Sequence, residues 1–182
     1  LLYSLNYMKR NWIKYTIAFI AVLGLRLIPF RAPNVEPVMS AIMPFGRVYG
    51  KLSAFLFGAM SIVIYDSLTS GLGVWSAITA VAYGLVGLGA GYYFKNRTGW
   101  RNYALFAIFT TILYDVVTGL TLGPLFFDQT LSNALVGQIP FTLLHLLGNV
   151  VFAIVLSPVI ETWIRKESKV VVPVTRKVAL SS

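Results

Sequence analysis

Between its charged and proline-punctuated segments, the chain is written in apolar runs of roughly 17–25 residues, the length that spans a hydrocarbon core as a helix. No 182-residue soluble fold could bury so many helices that are apolar all round. The composition agrees. The chain is 57% hydrophobic and 12% charged, with a mean hydropathy of +0.76, far from soluble averages. The fold class expected is therefore all-α, a polytopic integral membrane protein. The absence of cysteine excludes disulfides, thiolate metal sites and cysteine nucleophiles, and a single histidine, His145, excludes a multi-histidine metal cage. Neither a metal nor a cofactor is expected.

Taken in order, the pattern predicts six transmembrane helices. Helix 1 is expected over about 12–28, ending at Pro29. A short, irregular helix 2 follows over about 38–45. Helices 3 to 6 are expected over about 52–66, 75–94, 103–120 and 134–163. Pro33 and Pro37 keep the segment before helix 2 from being helical throughout. Residues 121–132, with Pro124, Phe126, Phe127 and Asp128, read as a loop long enough to serve as a lid. Residues 1–164 form one six-helix membrane domain on this reading, and 165–182 a basic, disordered cytoplasmic tail.

Six passes sort the charge. Thirteen of the fifteen lysines and arginines fall on one side, from Lys9, Arg10 and Lys14 through Arg47, Lys51, Lys95, Arg97 and Arg101 to Arg165 and the tail. Arg26 and Arg31 fall on the other. Such asymmetry puts the basic side, and both termini, in the cytoplasm. The net charge of +9 is then a topology signal with an attraction for the lipid bilayer, not a nucleic-acid footprint.

Charge inside apolar helices is expensive and points to function. The pattern Tyr65-Asp66-x-x-Thr69 recurs forty-nine residues later as Tyr114-Asp115-x-x-Thr118, bringing two carboxylates toward the outer face on two like-oriented helices. On helix 6, Gln138, Thr142, His145 and Asn149 follow at steps of four, three and four, which places them on one face. Asn34 and Glu36 sit in the proline-bracketed turn, and Trp75 stands at the mouth of helix 4. Together these residues, with Tyr65, Asp66, Tyr114 and Asp115, are the candidate wall of a ligand site open to the outside. Ala18, Ala21 and Gly24 form a small-residue stripe on helix 1 that would let a partner helix pack closely.

The run Pro33-Asn34-Val35-Glu36-Pro37-Val38, then Gly46, then a helix carrying Gly58, a Gly/Ser loop, and Gly84-Leu85-Val86-Gly87-Leu88-Gly89-Ala90-Gly91 resembles the substrate-specific S component of energy-coupling factor (ECF) transporters. The resemblance covers about 12–164. It implies a non-enzymatic subunit in a prokaryotic plasma membrane that captures a small vitamin-like nutrient at its outer face. It also implies a transmembrane coupling subunit and two ATPase subunits as partners. Family members often dock through an Ala-x-x-x-Ala pattern in helix 1, where this chain has Ala18, Ala21 and Gly24. No GxxxxGK[ST] loop is present, so ATP hydrolysis would belong to other chains. Two alternatives come from other classes. One is an intramembrane aspartyl protease using Asp66 and Asp115, although no Gly-x-Gly-Asp sequence accompanies them. The other is a structural or assembly membrane protein.

Overall fold

The structure, a computed structural model, describes residues 2–30 and 35–165, with side chains from residue 12 onward. Asn34, Arg31 and the tail beyond 165 lie outside the described residues. The described chain is helical throughout: α1 (Leu2–Arg26), α2 (Val38–Tyr49), α3 (Lys51–Leu68), α4 (Val74–Tyr93), α5 (Trp100–Asp115), a π-helical segment (Val116–Leu122), the short α6 (Gly123–Phe126) and α7 (Leu131–Arg165). Four stretches are long and apolar enough to cross a membrane: Lys51–Leu68, Val74–Tyr93, Trp100–Phe126 and Leu131–Arg165.

Apolar side chains point outward along these helices. Val81, Leu85, Phe109, Leu113, Val136, Ile139, Leu143, Leu147 and Val155 are all exposed, whereas Ser40, Ser61, Thr110, Thr111, His145, Asn149 and Ser157 are buried. A surface of this kind is at equilibrium only against lipid.

The centre of the bundle is α2, whose residues Val38–Gly46 are all buried. It is regular for twelve residues, where a shorter and irregular element is expected from the sequence. Pro44 lies inside it, so the Ser40 carbonyl has no N–H to receive from position 44. Ser157 of α7 supplies the missing donor, its Oγ 2.9 Å from Ser40 O. A proline that would break an isolated helix is thus absorbed by a neighbour.

The tightest packing joins α3 to α4. A Cβ on Gly58 would lie 2.5 Å from Tyr83 O, and one on Gly87 would collide with the Ala54 carbonyl. The small residues of α4 therefore bring two backbones into contact, as their spacing suggests. Helix α5 packs antiparallel on α7 through three polar bonds along its length: Tyr103 Oη to Glu161 (2.6 Å), Asn149 Nδ2 to Thr111 Oγ1 (2.9 Å), and Asp115 to His145 (2.8 Å).

One end of the bundle is basic. Lys14 Nζ donates to Trp163 O at 2.9 Å, and Glu161 takes both Arg47 (3.0 Å) and Arg165 (2.9 Å). At the other end lie Arg26, Glu36, Asp66 and Trp75, around one cavity.

The long lid predicted over residues 121–132 is not observed. The π-helical segment and α6 carry helical structure to Phe126, leaving a connection of four residues before α7. Gly123 and Pro124, which fall in that expected loop, are accommodated because the π-turn spacing relaxes the hydrogen-bond pattern, as in the Gly123 N–H donating to Thr118 O.

Candidate functional site: a polar cavity at one end of the bundle

A cavity of about 170 Å³ lies among α1, α3, α4, α5, α7 and the segment before α2. Of three larger spaces, one is a neighbouring depression of about 310 Å³ and two are grooves, about 420 Å³ beside α1 and α3 and about 860 Å³ between α4 and α5. The grooves are lined mostly by apolar and aromatic side chains on the lipid-facing surface, and Arg97 is the one charged residue between them. Volume alone therefore misleads. The smaller cavity gathers ionisable groups, which inside a membrane protein pair with one another or mark a functional site.

Arg26 forms one wall. As the last residue of α1 it turns inward and is 5% exposed. Its guanidinium donates through Nη1 to Ser61 O (2.8 Å) and through Nη2 to Glu36 Oε1 (3.2 Å), and lies 4.0 Å from the centroid of the Tyr65 ring. Three elements are thereby tied to one cation: α1, α3 and the chain entering α2. The Nε–H of Arg26 has no acceptor among the described residues. Sequence reasoning placed Arg26 only as an outer-face charge. Its signal was present, since an arginine at the end of an apolar helix needs a carboxylate partner, and Glu36 is ten residues away.

The opposite wall is aromatic. Tyr83 and Tyr114 meet edge to face at 5.0 Å between centroids, and Tyr114 and Phe141 each pack against the His145 ring at 5.6 Å. Tyr83 and Phe141 were not among the expected site residues. Both read from sequence as ordinary helix aromatics, with no signal separating them from the core.

His145 is 2% exposed and faces both ways. Its Nδ1 lies 2.8 Å from Asp115 Oδ1, and its Nε2 is 3.4 Å from the Tyr83 hydroxyl. Asp115, 1% exposed, sits behind the histidine, not in the cavity wall, and fixes the imidazole's orientation.

The remaining expected residues divide. Glu36, Asp66, Trp75, Tyr114 and His145 line the cavity together. Tyr65 supports it from outside through Arg26. The α7 stripe does not act as one wall. Asn149 is spent on Thr111 in the core, and Gln138 Nε2 donates to Thr142 Oγ1 at 3.0 Å. Gln138 instead borders a neighbouring depression with Trp75, Thr118 and Phe127. On α1, Ala18 is buried while Ala21 and Gly24 are exposed, and nothing lies within 4 Å of a Cβ built on Gly24. Asp66 and Asp115 share no hydrogen bond. The latter is committed to His145, so the geometry lends no support to a proton-sharing protease dyad.

Residues 15–114, more than half of the chain, match the family model described as the ECF-type riboflavin transporter, S component. The chain belongs to that family. It is accordingly a multi-pass membrane transport protein of the vitamin-uptake class, a family that is generally non-enzymatic. No curated protein and no solved structure matches it. The match ends at Tyr114, so this S component's Asp115–His145 pair and the whole α7 wall of the cavity lie beyond it.

Proposed function

We propose that this S component captures a small vitamin-like heteroaromatic nutrient in the outer-end cavity and delivers it inward with energy from separate subunits. The family match supports the transport role. The observation that carries the site is the convergence of Arg26, Glu36, Asp66, Tyr83, Tyr114 and His145 on one partly open cavity at the end opposite the basic one. In this reading the chain makes six passes, with both termini in the cytoplasm of a prokaryotic cell and the cavity facing out. A transmembrane coupling subunit and two ATPase subunits are its partners, and the exposed Ala21 and Gly24 of α1 offer a close-packing face for the first.

Binding would proceed without chemistry. The aromatic rings stack on a planar ligand, while the carboxylates and the imidazole take its polar edge, the usual division of labour in a small-molecule site. Riboflavin, named in the family's description, is the first ligand to try. Purified protein should bind its ligand in detergent. In liposomes with ATP it should show no concentrative uptake until a coupling subunit and ATPases are added. ATP-driven accumulation by this chain alone would overturn the reading.

A further inference from the structure

The charges around the cavity do not balance, and the imbalance has a sign. The guanidinium of Arg26 is matched in place by Glu36 at 3.2 Å and covered by the Tyr65 ring. His145 is matched by Asp115, so that pair contributes nothing if the imidazole is protonated and one negative charge if it is neutral. Asp66 is left over. It lines the cavity, half-buried, with no hydrogen-bond or ion-pair partner among the described residues. In either protonation state of the histidine, the described wall carries a net negative charge.

Resting on the S-component reading, we infer that the cavity selects a cationic, planar nitrogen heterocycle of one or two rings, with Asp66 as its counter-ion. An anionic nutrient would meet an unpaired carboxylate in a poorly hydrated space, where like charges repel far more than in water. A cation gains that carboxylate and, in addition, the faces of Tyr83, Tyr114 and Trp75, which attract positive charge through their ring quadrupoles. The ring size follows from volume. At about 170 Å³ the space falls below the ~300–1,000 Å³ of pockets for drug-sized ligands. A neutral, donor-rich ring is the competing occupant.

Three probes share one ring system and chain length and differ in charge: tryptamine (cation), tryptophol (neutral) and indole-3-acetate (anion). Calorimetric titration of the purified full chain in detergent should give tryptamine an affinity at least about tenfold above tryptophol, the scale of one charge-assisted hydrogen bond, with indole-3-acetate weakest. Asp66→Asn should bring tryptamine down to the level of tryptophol, and Asp66→Glu should restore part of the difference, which a merely structural role would not do. Equal affinities, a preference for tryptophol or indole-3-acetate, no binding of any probe, or a cation preference that survives Asp66→Asn would each overturn the inference. Riboflavin, neutral and with three fused rings, separates this failure from failure of the parent reading. Tight riboflavin binding sinks the charge and size selection and leaves the S component standing. Loss of uptake of every nutrient tested, even with a coupling module present, sinks both.

Discussion

Replacing His145 with alanine removes the one partner that the Asp115 carboxylate has among the described residues. Oδ1 of Asp115 loses its 2.8 Å contact, and Oδ2 has none to begin with. Both residues are nearly fully buried (1% and 2% exposed), so water can take the histidine's place only by way of the cavity that His145 lines. Breaking a buried pair from one side costs about 3–5 kcal/mol, because it strands the other charge. At ~2–4 °C per kcal/mol for a chain of this size, His145→Ala should lower the melting temperature by roughly 6–20 °C. Asp115→Asn keeps the shape and leaves an oxygen to accept from Nδ1, so its cost should be nearer ~1 kcal/mol. The discriminating measurement is the double variant. Asp115→Asn/His145→Ala strands no charge, and should be more stable than His145→Ala alone. Thermal melts of the four proteins in one detergent, followed by tryptophan fluorescence, complete the cycle. If the double variant is as unstable as the sum of the singles, the two residues do not act as a pair and the account of the cavity's rear wall fails.

Gly87→Ala places a methyl group against the Ala54 carbonyl, which is backbone and cannot swing away, so α3 and α4 must separate. A loss of about 1–3 kcal/mol is expected, whereas Gly89→Ala, whose nearest neighbour would be Phe106 Cζ at 3.9 Å, should be neutral or slightly stabilising in the same melts. For topology, cysteines introduced at Ser70 and Gln129 in this cysteine-free chain should react with an impermeant maleimide on intact cells, and one at Asn96 should not. Labelling at Asn96 would invert the bundle and move the cavity to the cytoplasmic side.

Much of the fold was legible because a membrane enforces it. The positions of α3, α4 and α7 and the small-residue face of α4 follow from local rules that tertiary contacts do not override. The departures come where a neighbour decides. Nothing near Pro44 in sequence announces that Ser157, over a hundred residues away, will receive the Ser40 carbonyl and keep α2 regular. The change to π spacing was likewise invisible, since residues 116–120 read as ordinary helix and Gly123 and Pro124 are what a loop would contain. At the site, residue type found Glu36, Asp66, Trp75, Tyr114 and His145, while helical spacing overreached on α7. A single face of a 35-residue helix passes from the cavity into the core, so His145 faces Tyr83 while Asn149, one turn further, is bound to Thr111.

The position of the cavity follows from the length of α2. Twelve residues reach about 18 Å at 1.5 Å each, roughly 12 Å short of a ~30 Å hydrocarbon core. Arg47, near its C-terminus, is held at the basic end by Glu161, so the whole shortfall appears at the other end. The chain entering α2 must therefore descend below the outer rim in non-helical form. Backbone and charge at that depth are tolerated only where protein encloses them or a cavity receives them. Glu36 is carried down by this segment, which is why it reaches Arg26, and why the ion pair of an outer loop lies among the aromatic rings of α4 and α5. A longer α2 would fill that space with a helix and raise Glu36 to the surface. The short central helix and the polar cavity are one structural fact, and Pro37, which disfavours helical backbone at Glu36, is what stops the helix from starting sooner.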